Sequence, residues 1–75
     1  MINVLGYFKH KSDDVLDGYT AMIIIDDGFD ALTCYTPFEQ HCTVQREYFE
    51  ECEPITKEEY LKAANGFYTP SDYLV

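Results

Sequence analysis

Three cysteines, two histidines and fourteen carboxylates are the side chains of this 75-residue sequence that could do chemistry. Cys34, Cys42 and Cys52, with His10 or His41 as base, are the components of thiol catalysis, in which a thiolate attacks and an imidazole moves the proton. His41 and Cys42 are sequence neighbours, however, and neighbouring side chains diverge on a helix and face opposite sides of a strand. The separations of eight and ten residues between the cysteines match no zinc pattern, although Cys42, His41, His10 and the other thiols are numerically enough for four ligands. The expectation is no metal, no cofactor and no catalytic residue, with the thiols acting as small hydrophobes.

Paired carboxylates are the second candidate chemistry. Asp26-Asp27 stands at a turn signal, and Glu58-Glu59 opens a helix, where acids favour the macrodipole, so neither has the facing geometry of acid/base catalysis. A calcium loop starting at Asp26 fails as well. Alternate oxygen ligands are missing, and its twelfth position is Pro37, where a bidentate Glu is needed. Lys9-His10-Lys11 is the only local basic cluster, and without a glycine-rich turn or helix N-terminus it reads as a solvated loop rather than a phosphate site.

What remains is net charge. Fourteen acids against five lysines and arginines give −9, which excludes nonspecific attraction to nucleic acid or to an anionic membrane. The acids fall into Asp13/Asp14/Asp17, Asp26/Asp27/Asp30, and six between Glu47 and Glu59 with Lys57 as the only basic residue among them. Solubility accounts for such a surface in the simplest way. The sharper reading is an acidic intracellular module that binds a protein partner with a basic surface through Glu47, Glu50, Glu51, Glu53, Asp13 and Asp14. In that reading it is an inhibitor or nucleic-acid mimic of the kind phages and mobile elements encode. The alternative is a small thiol-dependent enzyme using Cys42 or another cysteine with His41 or His10.

One small domain, 1–75, must position these residues. A hydrophobic share of 47% with 16% aromatic is too rich for disorder. No run approaches the ~18 apolar residues of a membrane span, and the start has no basic region ahead of an apolar stretch, so a cytoplasmic location is expected. Three cysteines cannot all pair internally, which agrees with a reducing compartment.

The chain is organised on Tyr19 to Thr36, two β-rich runs around Asp26-Asp27-Gly28, read as a hairpin. A two-residue Asp27-Gly28 loop pairs Ile25 with Asp30, Ile23 with Leu32 and Ala21 with Cys34. It places Ala21, Ile23, Ile25, Leu32 and Cys34 on one face, and Met22, Ile24, Ala31, Thr33 and Tyr35 on the other. A three-residue loop slips the register by one, and both faces stay apolar. Residues 2–8 read as a further strand, with Ile2, Val4, Gly6 and Phe8 on one side and Leu5 and Tyr7 on the other.

Thr36-Pro37-Phe38-Glu39 resembles a helix start, and Val44, Tyr48 and Cys52 recur at helical spacing, so a helix is expected over about 38–52. A Pro turn followed by a strand over 41–49 is the competing reading. Thr56 with Glu59 forms a capping box for a helix over 57–65, carrying Tyr60, Leu61 and Ala64 and ending at Asn65-Gly66. The expected fold is α+β: about three antiparallel strands with one or two helices on one face.

Overall fold

The computed structural model of the protein describes residues 3–74; Ile2, expected on the first strand, lies outside them. The architecture is α+β, but the sheet has five strands instead of three. β1 (Asn3–His10), β2 (Met22–Asp26), β3 (Leu32–Tyr35), β4 (His41–Val44) and β5 (Cys52–Ile55) are ordered β4-β3-β2-β1-β5, and every neighbouring pair is antiparallel. A one-turn helix, α1 (Arg46–Phe49), a two-turn helix, α2 (Lys57–Ala64), and a short 3-10 turn, Ser71–Tyr73, complete the regular structure of the described residues.

The central hairpin is present, with a longer loop than two or three residues. Ile23 pairs with Tyr35, Ile24 with Cys34 and Ile25 with Thr33. Gly28 does adopt a positive φ of 92°, yet it sits inside a loop tied down by side chains. Asp26 Oδ1 accepts from the Gly28 N–H (3.1 Å), and Asp27 Oδ2 accepts from the Thr33 hydroxyl (2.9 Å). Arg46 donates to the carbonyls of Asp30 (2.8 Å) and Phe29 (3.2 Å). These bonds, those from Arg46 reaching in from beyond the hairpin, stabilise a wide loop that turn propensity alone does not foresee. Tyr35 therefore joins the face of Ile23 and Ile25, while Leu32 and Cys34 join Ile24.

Both faces of β2 are buried, as the apolar run Ile23-Ile24-Ile25 requires. On one side Tyr7, Ala21, Ile23, Ile25 and Tyr35 pack with Tyr60 and Ala64 of α2. On the other, Met22, Ile24, Leu32, Cys34 and Val44 pack with Phe8, Phe49 and Cys52. Each fully buried Ile contributes roughly 1.5–3 kcal/mol. The two helices thus serve opposite faces, whereas one shared face was expected. Leu5 is a β-bulge: Val4 pairs with Ile25 but Gly6 with Ile24, so Val4 and Tyr7 share a face.

The expected helix over 38–52 does not form. Thr36 to Gln40 is instead the turn of a β3-β4 hairpin, closed by Thr36 N–H to Gln40 C=O (2.9 Å) with Glu39 at φ 63°. β4, α1 and β5 follow, and Pro54 lies within β5, on the sheet edge where a missing N–H is tolerated. The second helix matches expectation closely. Thr56 accepts from Glu59 N–H (3.0 Å), Glu59 Oε1 accepts from Thr56 N–H (2.9 Å), and Asn65 closes it in the left-handed region. Tyr60 and Ala64 are buried, but Leu61 is exposed. Among the described residues no helix is long and apolar enough to cross a membrane.

Candidate functional site

The pairing of β5 with β1 brings together, at one end of the sheet, residues far apart in sequence. Lys9 stands opposite Glu53 and His10 opposite Cys52. The Lys9-His10-Lys11 segment is therefore mostly strand, not a solvated loop. Lys9 Nζ pairs with Glu53 Oε1 at 2.6 Å and Lys11 Nζ with Glu51 Oε2 at 2.8 Å. The exposed Lys11-Glu51 pair raises the lysine pKa and lowers that of the carboxyl, first through their hydrogen bond.

Asp13 belongs to this end too. Its N–H donates to the His10 carbonyl (2.9 Å), Lys9 Nζ donates to its carbonyl (3.1 Å), and its charge acts on Cys52 and Tyr48. Glu47 on α1, and Glu50 just beyond it, lie on the short segment that carries Tyr48 onto His10, ring centroids 5.2 Å apart. Among the described residues Asp13, Asp14, Glu47 and Glu50 have no ion-pair partner, while Glu51 and Glu53 are partly neutralised. The six predicted carboxylates thus divide into an unpaired four and a paired two.

A second surface was missed. Tyr19, 87% exposed, Phe38 and Phe67 form an exposed row, with ring centroids 4.9 Å (Tyr19 to Phe38) and 5.6 Å (Phe38 to Phe67) apart. Phe38 and Phe67 line a groove of about 540 Å³ that also takes in Asp17, Glu59 and Lys62. Gly18 permits the approach, since a Cβ there would stand 2.9 Å from the Phe38 ring. A sequence signal existed: each of these aromatics follows a turn pair, Asp17-Gly18, Thr36-Pro37 or Asn65-Gly66, where burial is least expected.

The thiols gather on the α1 side of the sheet. Cys34 is buried, Cys42 exposed and Cys52 intermediate. Cys34 pairs directly with Cys42 across β3 and β4, and burial first, then the Cys42 thiol, pushes its pKa up. The Tyr48 phenol is pushed up by burial, then by Cys52, Asp13 and the other two thiols. His41 faces the opposite side, its Nε2 at 2.8 Å from the Tyr73 hydroxyl and its ring against Tyr35. His10 faces Cys52 across the ladder, with Nδ1 engaged by Ser12 (2.6 Å), while burial, Asp13 and Glu51 push the Cys52 thiol up. No three His, Cys, Asp or Glu side chains among the described residues converge closely enough to hold a metal.

The chain matches no protein-family model, and no curated protein or solved structure matches it.

Proposed function

We infer that the protein is a binding module of the cytoplasm that presents carboxylates to a basic protein surface. The observation that carries this reading is that Asp13, Asp14, Glu47 and Glu50 have no ion-pair partner among the described residues, on a chain of net charge −9. Glu51 and Glu53 are held in place by Lys11 and Lys9. Carboxylates carried on a small rigid scaffold can stand where phosphates stand in a basic cleft, which is the behaviour of a nucleic-acid mimic acting as an inhibitor.

The test uses the partner captured from native lysate by the intact chain. Binding should weaken steeply from 0.01 to 0.1 M salt, as the Debye length falls from ~30 Å to ~10 Å. Replacing Asp13, Glu47 and Glu50 with Lys should abolish it. Glu51 and Glu53 are poor choices for reversal, since a new Lys would face Lys11 or Lys9 and disturb the fold.

The aromatic row favours a second reading, an apolar contact centred on Tyr19, Phe38 and Phe67. Exposed aromatics that touch one another are characteristic anchors of protein interfaces. Capture that survives salt and charge reversal but is lost on replacing Tyr19 and Phe67 with Ser would select this surface and remove the electrostatic one.

A further inference from the structure

Cys34 and Cys42 are the two thiols that the strand register places face to face. Thr36 N–H bonds to Gln40 C=O in the turn that closes the same hairpin, so alternation from that pair makes Cys34 and Cys42 a hydrogen-bonded pair, whose Cα atoms stand roughly 5.5 Å apart. That lies within the ~4.4–6.8 Å range of disulfides. Cys42 is exposed on an edge strand, and Cys34 lies beneath it, 3% exposed. Both line an open groove of about 460 Å³ with Met22, Val44, Tyr19 and Tyr48, which gives a small oxidant access to the pair.

We propose that Cys34 and Cys42 form a site of reversible thiol oxidation whose substrate is a hydroperoxide. The Cys42 thiolate attacks one peroxide oxygen, the O–O bond breaks, and the departing oxygen leaves as water or alcohol after protonation, giving Cys42 sulfenic acid. The Cys34 sulfur then attacks the Cys42 sulfur. The S–O bond breaks, and the departing hydroxide takes the Cys34 proton and leaves as water. Two thiols lose two electrons and two protons in total, and the hydroperoxide is reduced to an alcohol (water, for hydrogen peroxide) and one water.

The division of roles follows from position. Cys42 meets the oxidant because it is exposed, and Cys34 resolves because it is buried next to it; burial keeps Cys34 protonated until its partner is activated. A neutral hydroperoxide also approaches a chain of net charge −9 without repulsion, unlike an anionic disulfide such as oxidised glutathione. A hydrogen-bonded pair sets its Cβ atoms about 5.5 Å apart, wide of the ~3.8 Å mean of disulfides, so the strands must draw together to close the bond, which is then strained and readily reversed by dithiothreitol.

The experiment treats the whole chain with hydrogen peroxide and maps peptides without reduction. A Cys34 to Cys42 linked peptide should accumulate, Cys52 should remain the free thiol, and dithiothreitol should restore the starting species. Cys34→Ala should stop the reaction at Cys42 sulfenic acid, trapped by dimedone, and Cys42→Ser should leave Cys34 reduced. Cys52→Ser should change neither outcome. A bond from Cys42 to Cys52, a bond between two chains, or oxidation to sulfinic acid with no internal bond would each overturn the proposal. Far-ultraviolet spectra of the Ala variant establish that it is folded, and should it not be, the wild-type peptide map alone decides.

Discussion

Lys9 on β1 and Glu53 on β5 stand directly opposite each other, with ammonium and carboxylate 2.6 Å apart and the lysine side chain only 17% exposed. The ion pair links the fold to the proposed binding surface, because it anchors an edge strand while neutralising one of the carboxylates proposed for binding. Glu53→Gln should lower stability by about 0.5 kcal/mol at low salt, and by less at high salt, where the pair is screened. Urea unfolding at two ionic strengths measures it, and a loss that does not shrink with salt would assign the effect to something other than this pair.

Tyr60 carries a buried hydroxyl that faces Thr69, with neither oxygen in a well-formed hydrogen bond among the described residues. Tyr60→Phe keeps the ring contact with Tyr7, whose centroid is 5.5 Å away, and removes the unsatisfied group. The variant should be as stable as wild type or more so, by up to about 1 kcal/mol. A clear fall in melting temperature would show that the hydroxyl is bonded in solution.

Alkaline pH should unfold the protein. Burial raises the Cys34 thiol above its ordinary 9.0 and the Tyr60 phenol above its ordinary 10.0. Folded values above unfolded ones mean that the unfolded chain releases these protons first. Their contribution is fully present below pH 9 and declines as pH rises from there toward the folded values, by at most about 1.4 kcal/mol per pH unit for each group. Unfolding free energy followed from pH 8 to 11 should fall progressively, and Tyr60→Phe should shallow the decline; a flat profile would contradict both.

Thr56→Ala should cost about 1 kcal/mol, because the Thr56 hydroxyl accepts from the Glu59 N–H at 3.0 Å. Circular dichroism melts of the variant check this, with Thr56→Ser expected to recover most of the loss.

Cys34→Ser should destabilise by roughly 1–3 kcal/mol through a buried hydroxyl, and Cys42→Ser by much less, since Cys42 is exposed. Native thiol labelling should modify Cys42 well before Cys34. Equal labelling rates would place Cys34 outside the core.

What could be read from residues alone was whatever is decided within a few neighbours. The capping box of Thr56 and Glu59, the left-handed stop at Asn65 and the positive φ of Gly28 are local, and each stands as expected. So do the two apolar faces of Ile23-Ile24-Ile25, because alternation needs no partner to be seen. The strands 41–44 and 52–55 were decided by tertiary structure. Val44 and Cys52 fit a helical face with Tyr48 equally well, and only ladder bonds to β3 and β1 select extended chain at those two positions, while Tyr48 stays helical in α1. The wide hairpin loop likewise draws on Arg46, a residue beyond the hairpin, which holds the loop carbonyls of Phe29 and Asp30. Composition nominates six carboxylates, Asp13, Asp14, Glu47, Glu50, Glu51 and Glu53, without their partners. Which of them stay unpaired depended on β5 docking beside β1, which brings Lys9 and Lys11 to Glu53 and Glu51 across some forty residues of chain. A strand's hydrogen bonds and charge partners belong to a remote segment, so no local pattern encodes them.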